Sequence, residues 1–153
     1  MYVKDIMTKE VFTINENDTV EKCANILSKE DLSGLPVVND DGRVIGIVTE
    51  GDLIKRASRI EGPPVLEVLG GIFYLETPNK FMERLKKLTG STVGEIMTKD
   101  LITVGPDKEI EKAATLLVRE KIKRLPVVDK AGNLVGIISR KDIMHYLFDK
   151  END

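Results

Sequence analysis

The chain has no tryptophan and no glutamine, one cysteine, one histidine, and aromatics at only 5% of its 153 residues. Each shortage closes a class of function. A single cysteine, Cys23, forms no internal disulfide and fits a reducing compartment. Cys23 and the lone His145 make neither a zinc spacing nor a nucleophile-and-base arrangement, so neither a catalytic residue nor a metal site is expected. No Gly-x-x-x-x-Gly-Lys-Ser/Thr run occurs, and Gly70-Gly71 followed by Ile-Phe-Tyr is no phosphate loop. The longest apolar-leaning stretch, residues 63–75, contains Glu67 and is too short to cross a bilayer. The first residues, MYVKDIMTKE, lack the basic-then-apolar build of a signal peptide. The expectation is a cytoplasmic protein with no membrane partner and no enzymatic activity. Nucleic acid is disfavoured too: net charge is -3 and aromatics are few, despite basic segments at 80–87 and 119–124.

What the chain does have is repetition. With 41% apolar and 32% charged residues it reads as globular, and residues 5–56 lie over 95–146 at a constant offset of 90 without a gap. Met7-Thr8-Lys9 meets Met97-Thr98-Lys99. Leu35-Pro36-Val37-Val38 meets Leu125-Pro126-Val127-Val128. Gly42, Gly46 and Asp52 meet Gly132, Gly136 and Asp142. The division expected is a first repeat at 1–56, a connector at 57–94 and a second repeat at 95–153.

Each repeat reads as strand, helix, strand, strand, helix. Asp18 is the expected N-cap of the first helix, with Val20, Ala24 and Leu27 on its apolar face. Asp107, Ile110, Ala114 and Leu117 repeat that pattern. The Pro of Leu-Pro-Val-Val is expected at a strand start or edge. Asn39 to Gly42 is a tight turn, and Arg43 to Val48 returns as a strand apolar enough to be buried on both faces. The connector is expected to be a helical insert covering an edge. Thr77-Pro78 would start a helix with Phe81, Leu85 and Leu88 on one face; the alternative is a dimer or partner-docking element anchored by Phe73 and Tyr74.

The heptads GIVTEGD (46–52) and GIISRKD (136–142) close each repeat. Thr49-x-x-Asp52 and Ser139-x-x-Asp142 fit a capping box, in which a hydroxyl caps the helix and the carboxylate reaches back. The same geometry suits a ligand. Free N–H groups at a helix start favour phosphate, the hydroxyl can donate to a phosphate oxygen, and the Asp can accept from both hydroxyls of a ribose. Both readings stand at this point. The copies differ ahead of Leu-Pro-Val-Val, where Asp31-Leu32-Ser33-Gly34 faces Lys121-Ile122-Lys123-Arg124. Lys123 and Arg124 would add charge-assisted bonds to phosphate, which predicts unequal sites with the tighter at Ser139 and Asp142.

The whole spacing resembles the CBS domain: Met-Thr, Thr-Ile/Val, a helix, Leu-Pro-Val-Val, Gly, then Gly-Ile-Val/Ile-Thr/Ser-x-x-Asp. Two copies resemble a CBS pair, or Bateman module. The resemblance implies an α+β fold of two tandem β-α-β-β-α repeats packed sheet to sheet about a pseudo-twofold axis, with the insert between them. It implies an adenine nucleotide (AMP, ADP, ATP or S-adenosylmethionine) as a regulatory ligand in clefts between the repeats, and no required cofactor. Asp52 and Asp142 would then hold ribose hydroxyls, and Thr49 and Ser139 phosphate. Gly34, Leu35, Pro36, Lys123, Arg124, Leu125, Pro126, Thr13, Ile14, Thr103 and Val104 would line the base or phosphate. A homodimer and an unidentified regulated protein are the partners implied. The competing expectation is a nucleotide-independent interaction module whose clefts stay empty.

Overall fold

The computed structural model describes residues 1–59, 65–68, 71–74 and 91–149, with side chains for 1–56 and 91–149. In chain order the elements are α1 (Val3–Ile6), β1 (Ile14–Asn15), α2 (Val20–Lys29), β2 (Gly34–Val38), β3 (Val44–Thr49), α3 (Glu50–Arg59), β4 (Val65–Val68), β5 (Gly71–Tyr74), α4 (Val93–Ile96), α5 (Ile110–Arg119), β6 (Arg124–Val128), β7 (Leu134–Ser139) and α6 (Arg140–Phe148). The fold is mixed α+β, and the repeats share their element order except that a single bridging residue, Val104, stands in the second where β1 stands in the first.

By contact the chain forms two compact units, and neither is one contiguous stretch. The first joins residues 1–13, 38–45 and 100–153; the second joins 14–37 and 46–99. In the first unit α1 is tied to the loop before α5. Val3 N–H donates to Lys108 O at 2.8 Å and Lys4 N–H to Pro106 O at 2.9 Å. Val3 is wholly buried in an apolar core with Val104, Ile110, Ala113, Leu117, Leu125, Val127, Ile138 and Ile143. In the second unit α4 makes the matching contacts, with Val93 N–H on Asp18 O and Gly94 N–H on Glu16 O, both at 2.8 Å. The short arm that opens each repeat is therefore packed with elements of the other repeat.

Both middle helices end in the same way. Leu32 N–H reaches Leu27 O and Ile122 N–H reaches Leu117 O, at 2.9 and 3.1 Å, so each helix closes in a Schellman motif. The left-handed residue this motif demands is Asp31 in one copy and Lys121 in the other, at φ of 51° and 54°.

Four sequence expectations are corrected. The N-cap of α2 is Thr19, whose hydroxyl accepts from Lys22 N–H. Asp18, one residue earlier, instead accepts from Asn15 N–H at 3.0 Å, and Asp107 pairs with Lys4 at 2.8 Å. The apolar face of α2 is Val20, Cys23 and Leu27, while Ala24 is exposed. Pro36 stands third in β2, the central strand of its sheet and so neither a start nor an edge, whereas Pro126, third in β6, does lie in an edge strand of a two-stranded sheet. Pro126 O accepts from Val104 N–H, and Val104 O accepts from Val128 N–H. That parallel partner is one residue long, so the N–H that proline lacks has no acceptor to miss. Finally, β3 and β7 are only half-buried outside Gly46, Val48, Gly136 and Ile138, so they are not covered on both faces.

The turn Asn39–Gly42 is as expected, with Gly42 at φ +78° and Gly132 at +88° in the second copy. Within the connector, β4 and β5 form an antiparallel pair with Val65 opposite Tyr74 and Val68 opposite Gly71. This part of the insert is a hairpin, not a helix. The runs VLEV and GIFY, β-branched and aromatic around a glycine, carried that signal. The expected helix bearing Phe81, Leu85 and Leu88, with its start at Thr77-Pro78, lies outside the described residues, as do the side chains of Phe73 and Tyr74.

Candidate ligand-binding site

Each repeat ends its hairpin at a hydroxyl residue and starts its closing helix at once. In the first unit Ser139 caps α6: its Oγ accepts from Asp142 N–H at 3.2 Å, while Asp142 Oδ2 accepts from Ser139 N–H at 2.7 Å and from Ser139 Oγ at 2.8 Å. In the second unit Thr49 and Asp52 make the same three bonds at 3.2, 3.0 and 3.1 Å. The capping box is therefore present in both copies. Its consequence for chemistry is that each hydroxyl's one proton is already engaged by its own carboxylate. Donation to a phosphate requires that hydroxyl to turn away from Asp.

Around Ser139 the expected residues partly converge. Arg124 stands directly opposite Ser139 in the β6–β7 register, and Arg140 N–H bonds Lys123 O at 3.0 Å. Arg140 itself turns back, its Nε on Ile122 O at 2.8 Å and Nη2 on Leu117 O at 3.1 Å, where it satisfies carbonyls at the end of α5. The matching contact in the second unit is Glu50 N–H on Ser33 O at 3.0 Å, just before Gly34.

Other expected residues lie in the cores. Leu35, Pro36, Leu125 and Pro126 are essentially fully buried, Ile14 and Val104 nearly so, and Gly34 is buried. From there they reach a ligand only through their backbone. Thr13 and Thr103 are exposed, one residue before those buried strand positions.

Residues that sequence reasoning left out stand closer to Asp52. Thr98 pairs with Ile47 through both backbone bonds, N–H to O at 2.8 Å and O from N–H at 3.1 Å, and its Oγ1 donates to Asp52 Oδ1 at 3.1 Å. Thr8 pairs with Ile137 in the same way, at 2.9 Å each. Gly46 and Gly136 are required by this docking. A Cβ on Gly46 would sit 2.8 Å from Thr98 O and 2.7 Å from Met97 Sδ; on Gly136 it would meet Met7 Sδ at 2.5 Å and Thr8 O at 3.0 Å. The repeated Met-Thr was the available signal. Beside Asp52, Thr98, Met97, Glu95, Lys55 and Arg56 line a cavity of about 240 Å³. Small-molecule pockets start at roughly 300 Å³, so it would hold part of a nucleotide and not the whole.

Nearby, Cys23 is fully buried on the inner face of α2. Burial, with a smaller push from the Asp52 charge, raises its thiol to about 11, so it stays protonated and unreactive. Among the described residues no group of His, Cys, Asp and Glu could hold a metal ion, and no helix is long and apolar enough to cross a membrane.

A sequence profile of the CBS domain matches residues 3–59 and again 93–149. The chain belongs to the CBS domain family. Among relatives of this CBS pair, the protein MJ1426 of Methanocaldococcus jannaschii is 37% identical over 96% of this chain and 91% of its own length. Homoserine O-acetyltransferase of Methanohalobium evestigatum is 30% identical, but the chain spans only 23% of that enzyme. Among solved structures, the CBS domain pair of MJ0100 in complex with 5′-methylthioadenosine and S-adenosyl-L-methionine superposes with a TM-score of 0.73 at 28% identity, covering 98% of each chain. CBSX2 in complex with AMP superposes with a TM-score of 0.74 at 26% identity, covering 99% of this chain and 98% of its own.

Proposed function

We propose that this CBS pair is a regulatory module that binds an adenine nucleotide at the closing-helix start of its repeats and so modulates a partner protein. The ligand is AMP, ADP, ATP or S-adenosylmethionine, taken up reversibly with no cofactor and no chemical step. A cytoplasmic setting and a homodimer belong to the same reading. The observation that carries it is Asp142. One of its oxygens closes the helix cap, the other has no donor among the described residues, and Arg124 stands across from Ser139. A sugar hydroxyl can take the open oxygen, and the arginine side chain suits a phosphate at a helix N-terminus. The relatives that hold AMP or S-adenosylmethionine support the ligand class. Ligand shifts the partner only as far as it prefers one packing of the repeats over another.

The test is calorimetric titration with AMP and S-adenosylmethionine, wild type against Asp142→Asn, which keeps a capping oxygen but loses the charge. Binding should weaken by at least tenfold in the variant. A ligand at a hundred times its Kd should also stabilise the wild type by about 2.7 kcal/mol, or roughly 5–10 °C for a chain of this size. An identical isotherm in the variant, or a flat melting profile with every ligand, would favour the interaction module with empty clefts.

A further inference from the structure

The two helix-start carboxylates are built alike but are not held alike. Oδ2 of each takes the same two donors from its own cap. Oδ1 of Asp52 also accepts from Thr98 Oγ1 at 3.1 Å, whereas Oδ1 of Asp142 has no donor among the described residues. Thr8 occupies Thr98's place in the other repeat and docks its backbone on Ile137 as Thr98 docks on Ile47, yet its hydroxyl makes no bond to Asp142. We propose that Thr98 is a latch that decides which repeat takes ligand, because its hydroxyl occupies the Asp52 oxygen that a vicinal diol needs. The inference rests on the reading that these carboxylates receive the sugar.

A ribose presents two adjacent hydroxyls, and with Oδ2 taken by the two donors of its own cap, both must find the two lone pairs of Oδ1. At Asp142 both are open. At Asp52 Thr98 already holds one, so the ligand must first displace that hydroxyl from a charged acceptor. The latch cannot simply drift aside. Thr98 is pinned through both backbone groups to Ile47, and the glycine at 46 lets its chain lie closer than any side chain there would permit. Because the Asp52 carboxylate is itself held in its cap, rotation of Thr98 about χ1 is the release that leaves the cap intact. The Asp142 site then fills first and the Asp52 site answers only to higher ligand concentration, which spreads the response of one chain over a wider range.

AMP titrations of the full chain in single-site backgrounds test this. In Asp142→Asn, which leaves the Asp52 site, adding Thr98→Val should tighten AMP binding by about tenfold, the order expected for freeing a charged acceptor. In Asp52→Asn, which leaves the Asp142 site, adding Thr8→Val should change nothing. Far-ultraviolet dichroism and melting check that each variant is folded. The latch is overturned if Thr98→Val leaves AMP binding at Asp52 unchanged, still undetectable, or weaker, the last meaning that the hydroxyl serves the ligand. It also fails if the two single-site backgrounds bind AMP equally. If neither AMP nor S-adenosylmethionine binds wild type, the nucleotide reading itself falls and takes the latch with it.

Discussion

Asp18 shows how much a single side chain does here. Partial burial pushes its carboxyl upward, but the Asn15 N–H at 3.0 Å and the Lys22 ammonium at 3.0 Å outweigh that and hold it below its usual value. A carboxyl depressed in the folded state stabilises the protein fully above its unfolded value of about 3.9, and that contribution is lost as pH falls through the folded value. Asp18→Ala should therefore lower stability by about 1 kcal/mol at pH 7, a figure already discounted for its partly exposed partner. The gap from wild type should close in urea melts as pH falls through that lowered folded value. A gap that persists there would assign the cost to packing.

At the scale of elements, the docking of each Met-Thr arm on the strand before the closing helix organises the site. The arm crosses Gly136 in the first unit so closely that an added methyl would collide with Met7 and with the carbonyl of Thr8. Gly136→Ala should cost about 1–3 kcal/mol, as other overpacked cores do. Gly51→Ala, where the nearest atom is 3.5 Å away, should be tolerated. Thermal unfolding of the two variants side by side measures the difference. Equal stability would mean that the arm is not held where the contacts place it.

For the whole molecule, the closing helices leave apolar side chains uncovered. Ile54 on α3 and Met144 on α6 occupy equivalent places in the two repeats, and both are exposed, at 68% and 55%. Leu147 and Phe148 extend the α6 strip at helical spacing. The homodimer proposed above would cover such a surface, because a twofold axis lets one apolar strip lie on its own image. Sedimentation should give a dimer for wild type and a monomer for Met144→Glu/Phe148→Glu, with AMP affinity at Asp142 retained. A wild-type monomer at micromolar concentration would refute this interface.

The repeat at an offset of 90 residues, the mixed fold class, the tight turns and both capping boxes were legible in the sequence, because each depends on residue types at fixed spacing. Chemistry of that kind travels with the sequence. Where the arms pack did not. Contiguity in the chain placed Thr98 with the second repeat, yet its backbone bonds to Ile47 bring it to Asp52 of the first. Pro36 was misplaced for a similar reason, since a flanking strand only two residues long, β1, is invisible until the sheet exists. Sequence alone thus determined which groups each repeat carries. The tertiary structure decided which of them meet, because a hydrogen bond depends on proximity in space and is indifferent to separation along the chain.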